Sequence, residues 1–130
     1  MRLGFEQSGF KVVYSNDLNS FACQTYRKNF GEIDERDVRT VDVDALPEFE
    51  ILLAGFPCQP FSLIGKREGL ADPRGQLFNE VVRFLDARRP RAFVLENVKN
   101  LIKHDKGQSY KFIKSALQEA GEAILSSRPS

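Results

Sequence analysis

Apolar residues in this chain keep two spacings. Short continuous runs in "FKVVYSN" (10–16), "EILLAG" (50–55) and "RAFVLEN" (91–97) have the length and the β-branched or aromatic content of buried strands. Between them the apolar positions recur at helical spacing. "MRLGFEQSG" (1–9) predicts a short helix stopped by Gly9. "DLNSFACQTYRKNFG" (17–31) predicts a longer one that Asn16 or Asp17 can cap, with Phe21, Ala22, Tyr26 and Phe30 on its inner face and Gly31 at its end. "GQLFNEVVRFLDARRP" (75–90) predicts a helix that buries Leu77, Phe78, Val81, Val82 and Leu85 and ends at Pro90. "YKFIKSALQEAG" (110–121) predicts another, with Phe112, Ile113, Ala116, Leu117 and Ala120 inward and Gly121 as its stop, before "EAILSSRPS" opens a further strand. "RDVRTVDVDALPEFE" (36–50) is mixed and acidic, and reads as a short edge strand followed by a loop.

Strand-like runs alternating with helical stretches define an α/β domain with a mostly parallel sheet, in which "EILLAG" is buried on both faces. No repeat or low-complexity tract interrupts it. From Gly55 to Gly75 glycines and prolines replace the periodicity, which predicts a long loop. Loops beyond about 15 residues in compact domains usually carry function or are disordered. In an open parallel sheet, ligands collect beyond the carboxyl ends of the strands. Asp17, Cys58 and Glu96 each follow such a run, so they are expected to converge on one rim of the sheet.

A length of 130 residues, 42% of them apolar and 28% charged, fits one soluble domain. The N-terminus has no apolar signal-peptide core, and no run approaches the roughly 18 apolar residues of a membrane span, so the reading is cytoplasmic, with no membrane partner. Two distant cysteines, Cys23 and Cys58, and one histidine argue against a disulfide framework and against a zinc-ligand set, and leave a reactive thiol open. A formal net charge of +1 is not the basic balance of an autonomous nucleic-acid binder. Any grip on nucleic acid is therefore local.

Cys58 stands in "AGFPCQPFS" (54–62) between Pro57 and Pro60. Cysteine is among the most buried residue types, which favours a structural thiol. The two prolines stiffen the turn and suit a side chain presented at a loop rim, where nearby cations or helix amides ionise a thiol more readily. Local physics leaves the two readings level. Glu96, one residue past an apolar strand, is by itself an ordinary solvated acid, although a carboxyl beside low-dielectric walls can hold a proton near neutral pH and donate it to a substrate nitrogen. Asp17 has the stronger ordinary explanation, helix capping, but an acid in that place of a nucleotide-binding unit also holds ribose hydroxyls. Asp37 passes for a turn residue, Cys23 for core, and His104 for a surface loop residue.

Taken together, "GFPCQPFS", "DPRGQLF" and "VLENVKNLIKHDKG" strongly resemble the DNA (cytosine-5) methyltransferase family, whose proline-cysteine-glutamine and glutamate-asparagine-valine motifs occur in this order and spacing. "VVYSNDLNSFACQTYRKNFGE" and "RDVRTVD" look like the same family's cofactor-binding segments, and the resemblance runs to about Ala120. It implies a Rossmann-like sheet of the S-adenosylmethionine-dependent methyltransferases and methyl transfer from S-adenosyl-L-methionine to C5 of cytosine in double-stranded DNA, with the base flipped out of the duplex. It implies Cys58 as the nucleophile at C6 and Glu96 as the group at N3. Asp17 matches the acid on the ribose and Asp37 the acid at the adenine amino group, with Pro57 and Leu77 as pocket walls; Leu18 stands where the family often has a large aromatic. Asn97 is implied to fix the base pocket, and Gln59, Ser62, Lys66 and Arg74 to lie near the DNA strand. No metal is implied.

The resemblance also implies missing pieces. "MRLGFEQSGF" resembles the helix that follows the family's first strand and glycine-rich loop, and residues 1–130 hold no counterpart of the family's arginine motif, target-recognition domain or closing helix. Residues 1–130 are thus expected to be a partial catalytic domain, inactive alone and weak toward the cofactor. A second polypeptide that completes a split enzyme, a non-catalytic remnant acting as an interaction module, and a transfer-RNA methyltransferase on the same scaffold are the alternatives. Without the first strand, which in the family lies between those matched by "KVVY" and "ILLAG", two edges inside the sheet are expected to be unpaired.

Overall fold

The computed structural model describes residues 1–56 and 76–126, and divides the chain into two compact units, 1–49 and 50–130. The first unit begins with α1 (Arg2–Gln7), which ends through Ser8 and Gly9, the latter at φ 88° as its glycine allows. Strand β1 (Asn16–Asp17) pairs in parallel with β2 (Asp34–Glu35), and α2 (Ser20–Phe30) connects them. Asn16 fastens the pair: its side-chain amide donates to the carbonyls of Asp34 and Arg36, at 2.9 and 2.8 Å. With Asn16 committed there, α2 is capped by Asn19, whose side chain accepts from the Ala22 amide at 3.0 Å, rather than by Asn16 or Asp17. Gly31 ends α2 at φ 89°, as expected.

The buried side chains of this unit are Cys23, Ile33, Val41 and Val43. The inner face of α2 is therefore centred on Cys23 and includes the half-buried Tyr26 and Phe30, whereas Phe21 and Ala22, expected inward, are exposed, Phe21 by 77%. Arg2 explains part of that rotation. Its guanidinium stacks over the rings of Tyr26 and Phe30, 5.2 and 5.3 Å from their centroids, and it donates to the Tyr26 hydroxyl while pairing with Glu6. "FKVVYSN" becomes a strand only at its last residue: the Ser15 carbonyl accepts from the Asp34 amide at 2.8 Å, but among the described residues 10–15 have no ladder partner, and Val13 is 42% exposed. Asp37 starts a 3₁₀ turn, Val38–Thr40, in place of the expected edge strand, because its carboxylate accepts from the Arg39 amide.

In the second unit β3 (Ile51–Gly55) pairs in parallel with β4 (Ala92–Glu96), and the register sets Ile51 opposite Ala92 and Gly55 opposite Glu96. Helix α3 (Gln76–Arg88) precedes β4, and α4 (Gln108–Ser126) follows it after two 3₁₀ turns, Lys99–Ile102 and His104–Gly107. Phe56, Phe78, Val81, Leu85, Leu101, Ile113 and Ala120 form the core, with Leu52, Ala54, Phe93 and Leu95 packed against it from the strands. The predicted inner face of α3 holds. Strand β4 departs from its continuous apolar reading: Phe93 and Leu95 turn toward the core while Val94 stays 41% exposed, because among the described residues the helices in contact with the core cover one face of the pair.

Gly121 does not stop the last helix. α4 runs through it to Ser126, so the strand expected in "EAILSSRPS" is helical over residues 122–126. A glycine inside a helix costs about 1 kcal/mol, which the alanine, glutamate and leucine around it offset. The described elements thus form two separate parallel pairs, β1–β2 and β3–β4, in an α/β chain. Among the described residues no helix is long and apolar enough to cross a membrane. Leu85 is fully buried at the centre of the second unit. Leu85→Ala is expected to destabilise that unit by about 2–5 kcal/mol in urea unfolding.

Candidate functional site

Glu96 and Asn97 stand at the carboxyl end of β4. Residues 57–75 lie outside the described residues, and with them Pro57, Cys58, Gln59, Ser62, Lys66 and Arg74. What the structure shows is the ground on both sides of that segment. Phe56, the last described residue before it, is buried, and its ring meets Phe78 of α3 with centroids 5.4 Å apart. Its carbonyl accepts from the Asn97 side-chain amide at 2.6 Å. The Asn97 side-chain oxygen in turn accepts from the Val98 amide at 2.9 Å. One side chain therefore ties the exits of both strands together immediately beyond the last ladder pair.

Within that pair, Gly55 stands opposite Glu96. A Cβ built on Gly55 would stand 3.4 Å from Glu96 Oε2, so the carboxylate leans across the Gly55 backbone toward β3. Glu96 itself is exposed, and so open to a ligand. Leu77, in the first turn of α3, is half-buried in the same unit. A surface hollow between α3 and α4, lined by Val82, Asp86, Ala116, Glu119 and Ala120, includes none of the candidate residues.

Asp17 and Asp37 belong to the first unit. One Asp17 oxygen accepts from the Asn19 amide at 2.8 Å, and the other makes no hydrogen bond among the described residues. Beside it Leu18 and Phe21 are exposed, by 65% and 77%. Asp37 is already engaged. Arg39 approaches both of its oxygens through Nε, at 2.9 and 3.0 Å, closes on Oδ2 through Nη2, and adds its backbone amide at 2.9 Å. These contacts lower the Asp37 pKa to about 2, the Arg39 side-chain hydrogen bond contributing most.

Cys23 is core, as expected: it is a fully buried free thiol whose pKa burial pushes upward, and its sulfur donates to the Asp17 carbonyl at 3.5 Å. His104 is not the free surface residue expected from sequence. It is half-buried, and its Nδ1 hydrogen-bonds the hydroxyl of the buried Ser109 at 2.7 Å, joining the second 3₁₀ turn to the start of α4. Gly55 and Arg39 are the residues that sequence reasoning passed over. "ILLAG" and "AFVLE" are runs of equal length, and aligning their ends sets Gly55 beside Glu96. The Asp-x-Arg spacing of Asp37 and Arg39 is the signature of a local side-chain pair.

A parallel strand pair with helical connections, its exits tied by a side-chain amide, fits one part of a Rossmann-like sheet. The S. pombe Dnmt2 methyltransferase structure has this fold: it matches with a TM-score of 0.65 and 22% identity over 90% of this chain and 37% of its own. The family of C-5 cytosine-specific DNA methylases matches residues 1–123, and the chain belongs to it. Among its relatives, the Type II methyltransferase M1.ScrFI of Lactococcus lactis subsp. cremoris is 47% identical over 119 residues, 91% of this chain and 31% of that protein. M.NlaX of Neisseria lactamica is 48% identical over 127 residues, 95% and 41%. The chain spans about a third of the length of the relatives it matches.

Two outcomes follow. Asn97→Ala is expected to cost about 1 kcal/mol and to speed hydrogen exchange at the Val98 amide, which loses its acceptor. Arg39→Ala is expected to move the Asp37 titration, followed by carboxyl NMR, from about 2 back toward the ordinary carboxylate value. A depressed carboxylate stabilises the fold above its unfolded-state pKa, and that contribution fades as pH falls toward 2, so the variant loses this acid-side dependence.

Proposed function

We propose that this chain is the cofactor-side and nucleophile-bearing part of a DNA cytosine-5 methyltransferase that uses S-adenosyl-L-methionine. The observation that carries the reading is Glu96, held at the end of β4 by the Asn97 bridge to Phe56 and leaning over Gly55 toward the strand that leads to Cys58. Cytosine C5 is too poor a nucleophile to take a methyl group directly. The Cys58 thiolate adds to C6, the ring electrons move to C5, and Glu96 stabilises the charge developing toward N3 by a hydrogen bond or proton. Once C5 carries the methyl group, loss of its proton to solvent and expulsion of the thiolate restore the aromatic ring.

When bound, the cofactor would supply an electrophilic methyl group, its sulfonium S–CH3 bond breaking to leave a neutral thioether. For its ribose, Asp17 offers the carboxylate oxygen not used by Asn19, at a strand end with Leu18 exposed beside it as an apolar surface for a base. Asp37 is a less open acceptor, because a ligand amino group has to share or displace Arg39. Leu77 and Pro57, in the second unit, are read as pocket walls on the family resemblance alone. Gln59, Ser62, Lys66 and Arg74 are read as DNA contacts, and Asn97 as the residue that fixes the base pocket.

The test is a segment exchange. Residues 1–123 replace the matching segment of M.NlaX, and the chimera is assayed for label transfer and for covalent capture of duplex DNA containing 5-fluorocytosine. The expected outcome is transfer that Cys58→Ser abolishes together with capture, and that Glu96→Gln lowers by about 10²–10⁴-fold. A folded chimera that captures no DNA, or a Cys58→Ser variant that still does, would sink the reading.

A further inference from the structure

The segment beyond Glu96 carries a charge that the chain as a whole does not. Between residues 99 and 114, Lys99, Lys103, Lys106, Lys111 and Lys114 stand against Asp105 alone, in a chain of formal net charge +1. All five lysines are exposed, and among the described residues none makes a salt bridge. The two 3₁₀ turns pack on α4, and the His104–Ser109 hydrogen bond joins the second of them to its first turn. Lys103 and Lys106 therefore lie at the N-terminal end of the helix whose first turns bear Lys111 and Lys114.

Local physics does not reward this arrangement. The N-terminal end of a helix carries the positive pole of its dipole and favours acids, yet α4 has no acid in its first turn. Lys111 and Lys114, three residues apart, share a face, and the positions three and four residues from either hold no Asp or Glu. Solvated faces normally mix the two signs. Exposed Val98, Ile102 and Tyr110 interleave with these lysines, at 55%, 60% and 43% exposure, as suits a contact surface rather than a purely hydrated one.

We propose that Lys103, Lys106, Lys111 and Lys114, with Lys99 next to the Glu96 end, form a phosphate-contacting surface that takes the backbone of duplex DNA without reading its sequence. The partner's identity rests on the DNA methyltransferase reading; the surface itself rests on charge and placement. Such contacts release counterions, so each one steepens the salt dependence of binding by about 0.9 in log K against log salt.

The experiment measures binding of the 130-residue chain to a fluorescent 20-base-pair duplex of arbitrary sequence by anisotropy, as a function of salt. Lys103→Ala/Lys106→Ala/Lys111→Ala is expected to flatten the slope by about 0.9 per lysine removed and to weaken low-salt binding about tenfold or more. Lys11→Ala/Lys28→Ala, exposed lysines of the first unit, serve as the charge control and are expected to leave the slope unchanged. Circular dichroism verifies that every variant is folded. An equal loss in the control, or an unchanged slope in the triple variant, overturns the proposal, as does a single-stranded RNA of equal length that uses these lysines with a steeper slope than the duplex. The chimera's label transfer and covalent capture read the catalytic proposal without these lysine variants, so failure of the lysine surface and failure of the catalytic reading give different results.

Discussion

A single side-chain amide joins two strand exits whose residues are far apart in sequence. Asn97 donates to the Phe56 carbonyl at 2.6 Å, directly beyond the Gly55–Glu96 pair, where the ladder has ended and the backbone groups would otherwise turn to water. The carbonyl it satisfies belongs to a buried phenylalanine of the core, so the bridge is backed by packing on one side and by an ordered strand pair on the other. The orientation of Glu96 depends on this arrangement. Its carboxylate lies over Gly55, and its backbone is fixed because the next residue is tied across the sheet. The role proposed for Glu96 requires this kind of support, since small errors in position cost orders of magnitude in rate.

The two units treat their acids differently. Asp37 is neutralised in place by Arg39 as a preformed ion pair. Asp17 spends one oxygen on a turn, and the other makes no hydrogen bond among the described residues. Glu96 stays exposed. This gradation follows from sequence neighbours: an arginine two residues on, a backbone amide two residues on, and, for Glu96, an asparagine whose side chain is engaged elsewhere.

The sequence made the second unit largely legible. Its strands carry short, mostly apolar runs, and α3 has a clean inner face, so strand identity and the core positions on the helices follow largely from spacing. Reading failed where one residue type serves two purposes. Gly121 has the composition of a helix stop and is spanned because its neighbours favour helix. Val12 and Val13 have strand composition, but a strand needs a partner, and propensity does not supply one. Phe21 was expected inside by helical spacing, whereas Arg2, stacked on Tyr26 and Phe30, belongs to a contact that no local pattern encodes. Of the candidate residues, Glu96 and Asn97 were placed at a strand end by pattern; that Asn97 reaches Phe56 is a fact of register, visible only once β3 and β4 are aligned.

The ladder that seats Glu96 pairs residues 41 positions apart, Ile51 with Ala92, and the Asn97–Phe56 bridge has the same separation. Closing a flexible loop of that length costs about 3 kcal/mol by the logarithmic rule. The turns of α3 and α4 close over three or four residues and carry almost none of that cost. In kinetic terms the helices are quick to form and the strand pairing is slow, since non-local contacts must bear their entropy before they return any stabilisation. The glutamate therefore takes its position late in folding, after the surfaces it rests against have been made.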